Sequence, residues 1–121
     1  MKVSEIMTQP VVAIDENSTI LEAAKKMSEG NIGSLIVTRK GEEIGIITEK
    51  DIISKVAMKY DLEHNKVKSI TSSPLITVEK NVDGEDAVKK MAKYNVNRLA
   101  VVDDENIVGI FSTGDIIKLG Q

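Results

Sequence analysis

The chain of 121 residues has no cysteine and no tryptophan, only two prolines, and three aromatic residues: Tyr60, Tyr94 and Phe111. Without cysteine there can be no disulfide, no thiolate nucleophile and no cysteine-bound metal. With so few rings, the core has to be aliphatic, built from Ile, Val, Leu, Ala and Met. Basic surplus is missing too. The formal net charge is −3, and arginine occurs only at 39 and 98. Nucleic-acid binders rely on a basic face because phosphate contacts dominate their affinity, so nucleic acid is not an expected partner. No apolar run approaches the roughly 18 residues of a membrane span, and the N-terminal sequence is not that of a signal peptide. A cytoplasmic protein without membrane attachment is the expectation.

What is present is a repeat. Shifted by 64 positions, the sequence falls on itself without a gap. Lys2-Val3 meets Lys66-Val67, Ile6 meets Ile70, and Pro10 meets Pro74. Asn17 meets Asn81, Ala23 meets Ala87, and Lys25-Lys26-Met27 meets Lys89-Lys90-Met91. Asn31, Leu35 and Val37 meet Asn95, Leu99 and Val101. Gly45-Ile46 meets Gly109-Ile110, and Asp51-Ile52-Ile53 meets Asp115-Ile116-Ile117. A register held over so much of the chain makes two copies of one unit, 1–64 and 65–121. A copy of about 60 residues hides only roughly 60% of its surface and is marginal alone, so the copies are expected to pack together.

Each copy reads as β-α-β-β-α. The β-branched run Val11–Ile14, matched by Leu75–Val78, is a strand. Thr19-Ile20-Leu21-Glu22 is a capping box, and Ile20, Ala23, Ala24 and Met27 recur at helical spacing. Asp83 is the matching cap, with Ala87, Val88 and Met91 facing inward. Gly30-Asn31 ends the first helix. Strands over Ser34–Thr38 and Ile44–Ile47 flank a turn at 39–42, and the second copy places strands over Arg98–Val102 and Ile107–Phe111. A last helix is expected from about Glu49 to Tyr60, with Ile52, Ile53, Val56 and Ala57 inward. Its counterpart begins near Thr113. The polar stretch Asp61–Lys66, with the only histidine at 64, reads as a linker. The lysine pairs at 25–26 and 89–90 read as solvated helix faces, and Met7, Met27 and Met91 as core filler.

The residues that carry chemistry sit where the third strand enters the last helix. One copy reads Gly45-Ile46-Ile47-Thr48-Glu49-Lys50-Asp51, the other Gly109-Ile110-Phe111-Ser112-Thr113-Gly114-Asp115. A hydroxyl residue followed three positions later by Asp at a helix start is close to a capping box. The same junction favours an anion, because free backbone N–H groups and the helix dipole point outward there. The carboxylate offers two acceptor oxygens, which suits the adjacent hydroxyls of a ribose. The two roles are compatible.

The doubled unit with its Gly-h-h-Thr/Ser-x-x-Asp pattern resembles the CBS (cystathionine β-synthase) domain, which occurs in tandem as a Bateman module. The resemblance covers essentially the whole chain. It implies an α+β fold of two β-α-β-β-α CBS units related by pseudo-twofold symmetry, with sheets face to face and helices outside. It also implies two clefts that take AMP, ADP, ATP or S-adenosylmethionine as regulatory ligands. Carried over by position, Asp115 and Asp51 hold the ribose, while Ser112 and Thr48 approach phosphate. Arg98 reaches phosphate in the Asp115 cleft, with Asn97 before it. Adenine lies there against Val11, Val12 and Ile32, with Thr8 nearby. In the Asp51 cleft, Leu75, Ile76 and Val96 take that part, with Ser72 nearby. Ser34 stands where the other copy has Arg98, and Lys50 is the available cation. With a guanidinium on one side only, the Asp115 cleft is expected to hold a phosphorylated nucleotide more tightly.

The repeat uses up the sequence, and no nucleophile–base pair, metal-ligand cluster or Walker-type loop is found. A non-catalytic sensing module that needs no cofactor or metal is expected. It would act through its own homodimer or on a regulated protein partner in trans. The alternative is a protein or single-stranded nucleic-acid adaptor with empty clefts.

Overall fold

The computed structural model describes residues 1–120. Two copies of the same arrangement are found. The first has a short helix α1 (Val3–Ile6), strand β1 (Ala13–Asp15), helix α2 (Ile20–Gly30), strands β2 (Ser34–Arg39) and β3 (Glu42–Thr48), and helix α3 (Glu49–Ala57). The second has a 3-10 turn η1 (Val67–Ser69), β4 (Thr77–Glu79), α4 (Gly84–Tyr94), β5 (Arg98–Asp103), β6 (Asn106–Ser112) and a 3-10 helix η2 (Thr113–Gly120). Each copy forms a three-stranded mixed sheet. β1 runs parallel to β2 and β2 antiparallel to β3, and β4, β5 and β6 repeat this order. Both hairpins carry a register shift at the equivalent place, after Val37 and after Val101.

Local chemistry explains the helices. Thr19 caps α2 by accepting from the Glu22 N–H at 3.1 Å, and Asp83 caps α4 by accepting from the Glu85 N–H at 3.0 Å. Both helices end on an asparagine in the left-handed region, Asn31 at φ 50° and Asn95 at φ 53°. Asparagine tolerates that conformation better than other residues with a Cβ. At the β2–β3 turn, Lys40 and Gly41 are both at positive φ, the geometry of a tight hairpin.

Two aliphatic cores result. One gathers Ile14, Ile20, Ala23, Met27, Leu35, Val37, Ile47, Ile52 and Val67, and the other Val3, Ile6, Val78, Ala87, Met91, Leu99, Val101 and Phe111. Val67, from the second copy, is buried in the first core, and Val3, from the first copy, is buried in the second. The compact units accordingly cut across the repeat. One is Val12–Leu75, and the other is Met1–Val11 together with the chain from Ile76 onward. Backbone hydrogen bonds explain the cut. Val3 N–H donates to the Val82 carbonyl at 2.9 Å and Ser4 N–H to Lys80 at 3.1 Å. Sixty-four positions on, Val67 donates to Ser18 at 2.8 Å and Lys68 to Glu16 at 2.9 Å. The segment that opens each copy therefore docks on the other copy's strand-to-helix turn.

Three sequence expectations change. The stretch Asp61–Lys66 is a docked turn rather than a spacer. The Asp61 carboxylate accepts from the Glu63 and His64 N–H groups, and Ile20 and Leu21 donate to the Asn65 and Leu62 carbonyls. In α3 only Ile52 is buried, while Ile53, Val56 and Ala57 face outward, Ile53 with 64% exposure. The helix stops at Ala57, and Lys59 takes a positive φ before Tyr60. Finally, Lys26 and Lys90 are not merely solvated. Their ammonium groups donate to the carbonyls of Ala13 and Thr77, tying each helix to the first strand of its sheet.

Candidate functional site

Each motif begins with a glycine because another backbone or side chain passes over it. A Cβ on Gly45 would strike the Ser72 carbonyl oxygen and lie 2.6 Å from Thr71 Cγ2. One on Gly109 would strike Met7. The passing segments are hydrogen-bonded in place. Ile46 and Ser72 exchange bonds of 3.1 and 3.0 Å, and Ile110 and Thr8 exchange bonds of 3.0 and 2.7 Å.

In the unit Val12–Leu75, Thr48 ends β3, pairs across the sheet with Ser34, and caps α3. Its N–H donates to Asp51 Oδ2 at 2.8 Å and its hydroxyl to the same oxygen at 2.9 Å. Glu49 N–H donates to the Gly33 carbonyl at 3.0 Å. Among the described residues nothing donates to Asp51 Oδ1. Lys50 follows on the first turn of α3, exposed. Ser72 and Leu75 belong to this unit, as do Val12 and Ile32. Ile32 lines a groove of about 350 Å³ between α2 and α3, together with Met27, Ile52 and Ile53.

In the other unit, Ser112 pairs across the sheet with Arg98. Its N–H donates to Asp115 Oδ2 at 2.9 Å and its hydroxyl to the same oxygen at 3.2 Å. Thr113 N–H donates to the Asn97 carbonyl at 3.1 Å. Asp115 is far more enclosed than Asp51, its side chain only 5% exposed. Its Oδ1 accepts from the Thr8 hydroxyl at 3.3 Å and from Lys118 Nζ at 2.8 Å. Arg98 is half-buried and has no carboxylate partner among the described residues. Val11, Ile76 and Val96 lie in this unit.

Two features differ from the sequence expectation. The N–H groups at the junction are largely engaged: those of Thr48 and Ser112 by the motif carboxylates, those of Glu49 and Thr113 by strand-end carbonyls. An incoming anion would therefore depend on side-chain cations more than on a bare helix start. The second is Lys118, whose position in the repeat is filled by Ser54; the i, i+3 spacing of Asp115 and Lys118 on one helical turn is the sequence signal for this pair.

Beyond these two junctions, no three His, Asp or Glu side chains among the described residues gather to hold a metal ion. Among the same residues, no helix is long and apolar enough to cross a membrane.

The arrangement is shared with known proteins. The CBS domain-containing protein YhcV of Bacillus subtilis (strain 168) is 33% identical over 114 residues, which is 94% of this chain and 81% of that protein. Four further curated relatives are longer, and the chain spans between 31% and 63% of their length. The solved CBS domain pair of protein MJ0100, in complex with 5′-methylthioadenosine and S-adenosyl-L-methionine, superposes with a TM-score of 0.84 at 31% identity, over 100% of both chains. The CBS domain protein PAE2072 from Pyrobaculum aerophilum, complexed with AMP, superposes with a TM-score of 0.83 at 26% identity, covering 99% of this chain and 98% of that one. Residues 3–58 and 67–121 each match the CBS domain, so the chain belongs to the CBS domain family as a tandem pair.

Proposed function

We propose that this CBS pair is a non-catalytic sensor whose Asp51 and Asp115 junctions bind the ribose of an adenine nucleotide or of S-adenosylmethionine. The observation that carries the reading is the state of the Asp51 carboxylate. One oxygen is anchored by Thr48, and the other accepts no hydrogen bond among the described residues. A cap needs only the anchored oxygen. The second is left with its lone pairs toward any pair of donors, and a ribose diol is such a pair. The bound adenosine compounds and AMP in the two related structures support the ligand class. Thr48 and Ser112 orient the carboxylates, while Lys50 and Arg98 are the cations available for phosphate. The exposed apolar side chains of Ile53, Val56 and Met58 on and just after α3 support pairing with a second copy of the chain. Output then depends on the ligand preferring one arrangement of the protein over another, in the assembly or in a bound partner.

The test is thermal unfolding with AMP, ADP, ATP and S-adenosylmethionine, followed by calorimetry. A ligand that binds only the folded chain at about 100 times its Kd adds about 2.7 kcal/mol, which raises the melting temperature by several degrees. Asp51→Ala and Asp115→Ala should each remove binding at their own site. No shift with any of the four ligands, or binding unaltered in both variants, overturns the reading.

A further inference from the structure

The two carboxylates are not equally available. A carboxylate has about four acceptor positions. Asp115 fills them from within the protein: the Ser112 N–H and hydroxyl on Oδ2, the Thr8 hydroxyl and the Lys118 ammonium on Oδ1. Asp51 has only the two Thr48 donors, both on Oδ2. The decisive difference is Lys118. Its Nζ lies 2.8 Å from Asp115 Oδ1 and also donates to the Ile6 carbonyl at 3.1 Å, so the ammonium is held from two sides. The equivalent residue in the other copy is Ser54, which is exposed and donates nothing to Asp51.

We infer that Lys118 is an internal competitor for Asp115, so that a ribose diol enters this site only by displacing the ammonium, and the Asp51 site fills first with any ligand that offers the diol alone. The inference rests on the reading of both junctions as ribose sites and concerns their order and selectivity. A charge-assisted hydrogen bond to a nearly buried carboxylate is stronger than one from a neutral hydroxyl. The diol must therefore give up part of its binding energy to break it. Arg98 still favours phosphate at the same junction, so the latch separates two ligand classes. A nucleoside meets the full cost of displacement. A nucleotide recovers some of it through the guanidinium. The phosphate-based expectation that Asp115 is the tighter site thus holds only for charged ligands, and for neutral ones the order reverses.

The experiment measures adenosine and AMP binding by calorimetry in the Asp51→Ala background, where Asp115 is the remaining site. It compares that protein with versions that also carry Lys118→Ser, Lys118→Gln or Lys118→Arg. Lys118→Ser copies the residue of the other repeat, and Lys118→Gln keeps most of the packing should the shorter side chain unfold the helix. Adenosine affinity should rise about tenfold in the Ser and Gln versions, the worth of one charge-assisted bond, and stay low in the Arg version. In the unsubstituted protein, the Lys118 ammonium resonance in 15N-correlated NMR should be visible when free of ligand and shift on saturation with adenosine. If AMP binds but adenosine gains nothing in the Ser and Gln versions, the latch is refuted while the ribose reading survives. If neither compound binds any of these proteins or the parent chain, both are refuted together.

Discussion

Replacing Gly45 by alanine tests how the motif is held, and its partner Gly109 supplies the control. At Gly45 the obstacle is backbone. The new methyl would strike the Ser72 carbonyl oxygen and come within 2.6 Å of Thr71 Cγ2. That carbonyl belongs to a segment fixed by the paired Ile46–Ser72 bonds of 3.1 and 3.0 Å, so it cannot retreat without breaking them. Overpacking costs about 1–3 kcal/mol, and two lost backbone bonds add about 0.5–1.5 kcal/mol each. A loss of about 2–6 kcal/mol is expected. At Gly109 the obstacle is the thioether end of Met7, a flexible side chain that can swing aside, with only its Cβ at 3.1 Å to be eased. About 1 kcal/mol is expected there. Alanine stiffens the unfolded chain equally at both sites, so that contribution cancels in the comparison. Urea unfolding with an unchanged slope gives the two values. Limited proteolysis gives a second readout, with new cleavage near residues 70–75 in Gly45→Ala but not in Gly109→Ala. Equal losses, or a larger loss at Gly109, would refute the assignment of the Gly45 contact to an unyielding backbone.

Two further outcomes are expected. Asn31→Gly and Asn95→Gly should leave stability unchanged or improved, whereas the alanine substitutions should cost about 1 kcal/mol each in urea unfolding, because only the latter pay for a Cβ at positive φ; equal values for Gly and Ala would contradict the helix ends described. The Asp61 carboxylate, 2.7 Å from the His64 ring, raises the His64 pKa above 6.5 by its hydrogen bond and then its charge. This pair therefore contributes stability that is complete only between pH 3.8 and 6.5; it fades as the pH rises through the raised folded-state value of His64 and as it falls through the lowered one of Asp61. Asp61→Asn should bring the His64 midpoint in an NMR titration back toward 6.5, and an unmoved midpoint would exclude the pairing.

The repeat made the fold legible, because a constant offset of 64 let each element be read twice. The motif carboxylates were visible as a residue type at a spacing. What the spacing could not supply was which other groups reach them. Thr8 and Lys118 touch Asp115 from 107 positions before it and three after, and only folding brings the first of these near. Ile53 and Val56 depart from the helical pattern for a different reason. The apolar stripe on α3 is wider than the surface its own unit can cover, and periodicity does not tell the buried side of such a stripe from the open one. Asp61–Lys66 reads as a spacer because its side chains are polar, while the bonds that dock it come from the backbone, which sequence does not display. A hint was present. Lys2-Val3 and Ile6 match Lys66-Val67 and Ile70, so the two opening segments had to be doing the same work.

That trade of opening segments has a consequence for how the polypeptide comes into being. Emerging from a ribosome, the middle stretch from Val12 to Leu75 has all of its own parts and is free to condense early. Residues 1–11 have nothing to settle on until β4 and the turn after it are made, so this strap is seated late. Severing the chain at the midpoint of the repeat would therefore not release two working halves. Each fragment would carry the strap meant for its neighbour, and only mixing the two would let both close.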